Sequence, residues 1–403
     1  MEITKLILKD YRSFHRFQWE PSSGVHIIYG ENGSGKSNLL EAIAMLSTTR
    51  SPRTRRDAEL VSWRALDEDP LPGTFISAEK INASRLIDTR ESIDISISAA
   101  EPISYDANIP RDPRPKMIKR FQRNKSPKKA SDVIGCIKSI LFSARDLKII
   151  EGTPADRRRY IDATISQLNR DYVVALREYN KIIENRNSLL KQISTGRQKN
   201  SALDIWDIQA AKAAAVIITV RKSILDTVSR TTSVFFSELN PKNSETNKIT
   251  LQYAPSASVD LTGSIADIES SLVDSLAQAR AADISRGATT VGPHRDDLIF
   301  QLNRSDAGVS ASRGQLRSLA LSLRLAEVDL SRTSTGEQPI LLLDDVLSEL
   351  DEAHRERVTH LVQESDQTFI ATPDPERPRA GDLPSSNRWV LENNELSERK
   401  LAI

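Results

Sequence analysis

Apolar and polar positions change rhythm several times along the chain, and each rhythm predicts a different element. Residues 1–29 read as two or three strands. Ile3, Leu6 and Leu8 alternate loosely, and Val25-His26-Ile27-Ile28-Tyr29 is an apolar run that fits a strand buried in a mixed or parallel sheet. After a glycine-rich turn, residues 38–47 place leucine, isoleucine and methionine at helical spacing. Alternation returns over 74–98, most clearly in Ile93, Ile95 and Ile97, and predicts a hairpin or small sheet. Residues 102–127 carry Pro110, Pro113 and Pro115 among basic residues and predict an irregular connector. Further on, 290–302 and 339–343 read as strands and 314–329 as a leucine-rich helix. Two more short strands are predicted at 368–371 and 388–391, the rest of 373–403 being polar loop without readable chemistry. No internal repeat of solenoid length is present.

Residues 163–193 differ in character. Ile165, Leu168, Tyr172, Ala175, Tyr179, Ile182, Arg186, Leu189 and Ile193 fall at alternating three- and four-residue steps, a heptad seam with one polar break. Ser194-Thr195-Gly196 interrupts it. A second seam runs through Leu203, Trp206, Ala210, Ala213, Ile217, Val220, Ile224 and Val228. Facing seams across a short polar break predict an antiparallel helical hairpin. Two ordinary amphipathic helices packed on a core would leave the same pattern, so both arrangements stay open.

Composition narrows the class. The chain has 403 residues, room for a large domain with a subdomain or for two domains. Its 56 Lys and Arg nearly cancel 55 Asp and Glu, which excludes a histone-like polycation and leaves any polyanion affinity to local patches. No apolar stretch approaches bilayer length, and the first ten residues alternate like a strand rather than following a signal-peptide layout. The single cysteine, Cys136, sits among apolar neighbours and is expected to be a small buried core residue. A reducing, cytoplasmic setting follows.

The sharpest chemistry lies at Gly30-Glu31-Asn32-Gly33-Ser34-Gly35-Lys36-Ser37, which matches G-x-x-x-x-G-K-[ST] at every fixed position. The glycines let successive N–H groups turn inward on phosphates, and the following helix start adds its positive end. Lys36 would neutralise β- and γ-phosphate charge, and the Ser37 hydroxyl would ligate Mg²⁺. The apolar run Pro339-Ile340-Leu341-Leu342-Leu343 ends in Asp344-Asp345, expected at the carboxyl edge of the sheet beside that loop. Asp344 would hold Mg²⁺, and Asp345 would orient or deprotonate the attacking water. Ser312-Arg313-Gly314-Gln315 precedes the leucine-rich helix. Alone it reads as a helix cap; between the other two motifs it reads as an anion-binding helix start.

Phosphate loop, S-x-G-Q, then an acidic strand followed by Ser348-Glu349-Leu350-Asp351 is the motif order of ABC-type ATPases. Within that class the chain resembles the RecF family of bacterial recombination proteins over nearly its whole length. The resemblance is carried by LKDYRSF (8–14), GENGSGKSNLLEAI (30–43), LFSARDLKIIEGTPADRRRYID (141–162), TTVGPHRDDL (289–298), SRGQLRSLALSLRLAE (312–327) and LLLDDVLSELD (341–351).

The resemblance implies an α/β fold: a Rad50-like ABC-type ATPase head with a mixed sheet and a short helical-hairpin lobe. The expected boundaries are 1–150 and 236–403 for the two parts of the head and 151–235 for the lobe. It implies a homodimer closed around two ATP molecules, with Ser312, Gly314 and Gln315 of one subunit completing the site of the other, and Asp351 among the nucleotide contacts. It further implies binding to DNA, duplex and single/double-strand junctions, with RecO and RecR as partners. RecA loading at gaps, replication restart and the SOS response would follow from that. The sequence departs from the transporter pattern in two places. The strand at 368–371 leads to Thr372 where transporters carry a histidine, and Asp345 stands where many ABC ATPases have glutamate, one methylene longer, so slow hydrolysis is expected. A metal-contacting glutamine has no clear position; 143–146 is a positional candidate. A transporter ATPase subunit and an SMC-like chromosome-protein head are the competing readings.

DNA contact is proposed for two basic clusters, Arg50, Arg53, Arg55 and Arg56, and Arg111, Arg114, Lys116, Lys119, Arg120, Arg123, Lys125, Lys128 and Lys129. Each is equally readable as a solvated charge run. Arg157, Arg158 and Arg159 are expected to form salt bridges within the lobe. His294, Asp296 and Asp297 are expected to form a structural turn rather than a metal site.

Overall fold

The computed structural model describes residues 1–81, 90–102, 115–241, 248–348, 350–374, 383 and 385–399. The chain divides into two compact units, one formed by residues 1–144 and 331–403 and the other by 145–330.

Among its described residues the first unit holds two six-stranded sheets. One is antiparallel and built from Glu2–Tyr11, Phe14–Trp19, Gly73–Ile81, Arg90–Ala99, Met117–Arg123 and Ser126–Lys128. The other is mixed, with Gly24–Tyr29, Gln367–Thr372, Ile340–Asp344 and Ser139–Ser143 running parallel as neighbours in that order. Asn387–Glu392 pairs parallel on the outer side of Gly24–Tyr29 and turns back antiparallel into Glu395–Glu398. Strands Ile340–Asp344 and Gln367–Thr372 are buried almost throughout because both faces are covered, so an alternation of buried and exposed positions is absent from them. Helix Lys36–Thr48 joins the two sheets in one core: Leu39, Leu40, Ile43 and Met45 pack with Ile76, Ile93 and Ile95 of one and Ile340, Leu342 and Phe369 of the other. One buried amide stitches the sheets. Gln367 accepts from the Ile3 N–H (2.8 Å) and donates to the Ile3 carbonyl (2.9 Å), at the register shift between Ile3 and Lys5.

Two expectations need correction in this unit. Part of the supposed irregular connector is a regular strand pair: Met117–Arg123 pairs with Arg90–Ala99, its basic residues alternating across the two faces, and Asn124-Lys125 make the turn with φ of 52° and 62°. Cys136 is half-buried rather than buried; its thiol donates to the Asp132 carbonyl, and burial pushes it above the ordinary thiol range.

The second unit contains helices Pro154–Ser166, Arg170–Ser194, Asp204–Leu239, Ile265–Arg286 and most of Arg313–Thr335, with a small sheet of Ile249–Ala254, Asp297–Leu302 and Ser305–Asp306. It extends beyond the expected 151–235 lobe because helix Asp204–Leu239 packs on both Ile265–Arg286 and strand Ile249–Ala254. The two heptad seams are therefore internal faces of a packed unit. Their polar break, Arg186, is fully buried. Its guanidinium donates to Asp207 (2.7 Å), Asp283 (2.7 Å) and the Thr289 hydroxyl (2.9 Å), tying three helices together. Local starts obey ordinary capping: Asn169 accepts from the Tyr172 N–H, and Thr153 with Asp156, and Ser264 with Asp267, form capping boxes.

GPHRDDL is a structural turn, as expected. His294 accepts from the Tyr179 hydroxyl at Nδ1 (2.6 Å) and donates to the Thr289 carbonyl from Nε2 (3.0 Å). Asp296 accepts from Tyr253 and from the Ser256 N–H and hydroxyl, and Asp297 takes both nitrogens of Arg157 at 2.7 and 2.8 Å. Arg158 donates to the Asp296 carbonyl. Gly292, at φ +118°, has no room for a side chain, since a Cβ would stand 2.3 Å from the Tyr179 oxygen.

Burial lowers the His294 pKa to about 4, the Thr289 carbonyl opposing and the Arg295 charge adding to the shift. A histidine held neutral contributes stability that is complete above its unfolded pKa of about 6.5 and is lost as pH falls toward the folded value, roughly 3 kcal/mol in all. Thermal unfolding midpoints should therefore drop more steeply between about pH 7 and about pH 4.5 in the wild type than in His294→Gln; equal slopes would contradict this account.

Candidate functional site

The phosphate-loop motif occupies the turn between strand Gly24–Tyr29 and helix Lys36–Thr48, at the carboxyl edge of the mixed sheet. Gly33 and Gly35 take φ of 89° and 106°, conformations that a Cβ disfavours. Gly30 is required for a different reason: a Cβ there would meet the Leu391 carbonyl oxygen at 2.4 Å. The terminal strand Asn387–Glu392 thus backs the loop, so the tail read as carrying no chemistry sets the space available to the cradle.

Lys36 closes the loop on itself. Its ammonium donates to the carbonyls of Gly30 (2.7 Å) and Glu31 (2.8 Å). Desolvation lowers its pKa from the ordinary lysine value, with Asp345 and Asp344 opposing that shift. Ser37 donates its hydroxyl to Asp344 at 2.7 Å, so the helix start and the acidic strand end meet directly. The Ser34 hydroxyl is buried in the loop without a hydrogen-bond partner among the described residues, an orphan that a bound phosphate oxygen would satisfy. Glu31, Asn32 and Gly33 are exposed along the outer rim.

Sheet register fixes the neighbours of Asp344. Ala371 lies in register on one side and Ser143 on the other, which puts the first residue of the 143–146 segment next to the metal-side aspartate. Asp345 leaves the strand in the left-handed region at φ +54°. It is held there by donation from its N–H to the Ala371 carbonyl (2.9 Å), while its Oδ1 accepts from Ser348 (2.8 Å). A non-glycine residue in that conformation stores strain, a feature that concentrates at functional sites. Thr372, where a transporter would offer histidine, ends its strand and exchanges hydrogen bonds with the Asp374 backbone.

Beneath the loop lies a cluster whose role the sequence did not reveal. Glu41, on the phosphate-loop helix, is 1 % exposed. Arg12 grips it through two nitrogens at 3.0 and 2.8 Å, Ser51 donates to it, and Arg53 stands 3.5 Å away. Asn38 extends the network, accepting from Arg53 (2.8 Å) and donating to Ser13 (3.1 Å). Arg12 and Ser13 belong to LKDYRSF, whose only earlier signal was the resemblance.

The remaining motif residues belong to different surroundings. Ser312, Gly314 and Gln315 lie in the second unit. Ser312 and Gln315 form a reciprocal cap at the start of helix Arg313–Thr335: the Ser312 N–H donates to Gln315 Oε1 (2.8 Å) and the Gln315 N–H to Ser312 Oγ (3.3 Å). Ser312 and Gly314 are exposed, and the space a Gly314 side chain would occupy is open. Asp351 caps helix Glu352–Gln363, accepting from the His354 N–H (3.0 Å) and imidazole (2.6 Å). Of the basic clusters, Arg53 is engaged as above, Arg56 faces Glu59 (3.9 Å), Lys119 meets Asp57 (2.7 Å) and Arg123 meets Glu91 (2.6 Å). Arg50, Arg55, Lys116, Arg120, Lys125, Lys128 and Lys129 are exposed, and Arg111 and Arg114 lie outside the described residues. No group of three or more metal-ligating side chains occurs among the described residues, and none of their helices is long and apolar enough to cross a membrane.

Comparison with known proteins agrees with this architecture. Residues 2–382 match the RecF/RecN/SMC N terminal domain family. The chain is 35% identical over 376 residues to the DNA replication and repair protein RecF of Chloroflexus aurantiacus, covering 92% of this chain and 93% of that protein. It is 33% identical to RecF of Bacillus velezensis over the same shares. A solved structure of the recombination mediator protein RecF with ATP, from the RecFOR pathway, superposes with a TM-score of 0.83 at 29% identity, covering 99% of this chain and 97% of that one. An Smc head domain from Pyrococcus furiosus shares the fold alone, at a TM-score of 0.50 and 18% identity. The chain belongs to the RecF family of DNA replication and repair proteins, built on the ABC-type ATPase head that SMC proteins share.

Proposed function

We propose that this chain is an ATP-switched DNA clamp of recombinational repair and replication restart. ATP would close a homodimer on DNA near single-strand gaps, and slow hydrolysis would reset it. The observation that carries the reading is the 2.7 Å contact of Ser37 with Asp344, beside a lysine already folded over its own glycine loop. That arrangement fits a nucleoside triphosphate: N–H groups of 30–37 face β- and α-phosphates, Lys36 neutralises the terminal phosphates, and the orphaned Ser34 hydroxyl gains a partner. The Ser37 hydroxyl and the Asp344 carboxylate are hard oxygen donors suited to Mg²⁺, which would supply charge neutralisation on the β- and γ-phosphates.

Asp345 would orient the attacking water and accept its proton. Its carboxylate is one methylene shorter than glutamate and already accepts from Ser348, which supports slow turnover. Ser312 and Gly314, exposed at a helix start, and the half-buried Gln315 would complete the site of a second copy, with Asp351 beside it. The relatives named for replication and repair, and the RecFOR description of the solved RecF structures, support DNA as ligand and RecO and RecR as partners. RecA loading, the SOS response and a cytoplasmic location follow from the same reading. A transporter subunit is not favoured, since the relatives reported above are repair proteins and the strand ends in Thr372 where a transporter would offer histidine.

Three variants separate the steps. Lys36→Ala should abolish ATP binding and hydrolysis together, measured by nucleotide titration and phosphate release. Asp345→Asn should keep ATP affinity near that of wild type while turnover falls roughly a hundredfold or more, as expected when a general base is lost; unchanged turnover would remove Asp345 from the mechanism. Ser312→Arg should leave monomeric ATP binding intact and eliminate the ATP-dependent dimer in sedimentation with DNA. A nucleotide-saturated monomer in the wild type would end the shared-site account.

A further inference from the structure

Four residues of the clusters that look basic along the sequence, Arg53, Arg56, Lys119 and Arg123, face carboxylates, whereas strand register assembles a cationic row without carboxylate partners among the described residues. In the antiparallel sheet Arg16 pairs with Lys9, Lys9 with Phe75, Phe75 with Ser96, and Ser96 with Arg120. These five positions form one line across five strands on the face opposite the core, where Leu8, Ile76 and Ile95 are buried. Arg16, Lys9 and Arg120 are exposed, and among the described residues none of them has a carboxylate partner. The Lys9 ammonium lies 5.9 Å from the Phe75 ring centre, and Arg120 donates to the Ser98 hydroxyl at 3.2 Å. The acidic groups on this face are committed elsewhere: Asp94 accepts from Ser77 at 2.6 Å and is buried, and Glu20 meets Lys5 at 3.0 Å. Glu79, opposite Lys5 in register, sits four residues along its strand from Phe75, roughly 13 Å away.

We propose that this row is a contact surface for the sugar–phosphate backbone of DNA. The proposal rests on the DNA-binding reading above and assigns it a place that shares only Arg120 with the sequence clusters. Four interstrand steps of about 4.8 Å make the row roughly 19 Å long, comparable with about five or six nucleotide steps. Cations at both ends and beside the middle, on a rigid sheet, suit an evenly spaced polyanion. Phe75 is half-covered beneath Lys9 and offers little apolar anchor for a protein partner. Because the sheet's other face packs on the phosphate-loop helix, the row and the nucleotide loop belong to the same unit.

Equilibrium DNA binding by the full chain with ATP, measured across a salt series, tests this. The triple variant Lys9→Gln, Arg16→Gln, Arg120→Gln should lower the slope of log affinity against log salt by about 0.9 per lost phosphate contact, nearly 3 in all. The affinity lost between about 50 and about 200 mM salt should therefore shrink roughly 40-fold relative to wild type. ATP affinity should be unchanged, which reports that the unit is folded; should the triple variant misfold, Arg16→Gln and Arg120→Gln singly should each remove about one contact from the slope. Arg64→Gln, which frees an exposed pair with Glu68, should leave the slope as in wild type. An unchanged slope in the triple variant with intact DNA binding would overturn the assignment. So would an unchanged slope accompanied by lost binding of a polyglutamate probe, which would give the face to an acidic protein. Wild-type protein that binds no DNA with ATP would instead sink the clamp reading itself.

Discussion

The contact between Ser37 on a helix start and Asp344 at a strand end is the constraint on which the rest of the site depends. It requires helix Lys36–Thr48 to lie against strand Ile340–Asp344 with its first turn level with the sheet's carboxyl edge. The hydrophobic core enforces that height: Leu39, Leu40, Ile43 and Met45 are wholly buried between two sheets, and sliding the helix along them would open cavities on both sides. A hydrogen bond of this length is worth little by itself; its position is a consequence of packing. The polar atoms at the edge are placed by apolar ones beneath them.

The same economy governs the lysine. Burial makes the Lys36 charge costly, and the chain offsets the cost with two carbonyls of its own loop and two nearby aspartates. A ligand carrying several negative charges would take over part of that task. The loop is thus shaped around a charge that only a polyanion balances fully. Glu41 is the counterpart below: a buried carboxylate satisfied by Arg12, Ser51 and Arg53, connecting the loop helix to two segments that would otherwise be surface turns. Removing Arg12 would leave that carboxylate with only Ser51 and the more distant Arg53, so the turn at 10–13 and the helix depend on each other.

In the second unit, buried polar groups act as registers. Arg186 interrupts a hydrophobic seam and selects one alignment of three helices through Asp207 and Asp283. GPHRDDL holds a tight turn against Tyr179, Tyr253 and Arg157. Arg324, on the helix that begins at Ser312-Arg313-Gly314, is pinned by Asp146 and Glu327 at 2.7 and 2.6 Å. The exposed serine and glycine therefore stand on a helix whose position is set within its own unit, and the cap between Ser312 and Gln315 defines its first turn.

Much of this was legible in the residues, and the divisions have physical causes. The phosphate loop, the apolar run that ends at Asp344, and the seams of the long helices depend on neighbours in sequence, where steric freedom and periodicity leave a direct trace. Strand Met117–Arg123 was hidden because a strand with basic residues on both faces lacks alternation in hydrophobicity. The backing of Gly30 by Leu391, the buried grip of Arg12 on Glu41 and the row from Arg16 to Arg120 join residues far apart in the chain. Local pattern determined which elements form and what chemistry the loop carries. Tertiary structure alone decided which charges are neutralised and which remain free, because ion pairing depends on distances of a few ångströms that sequence separation does not encode.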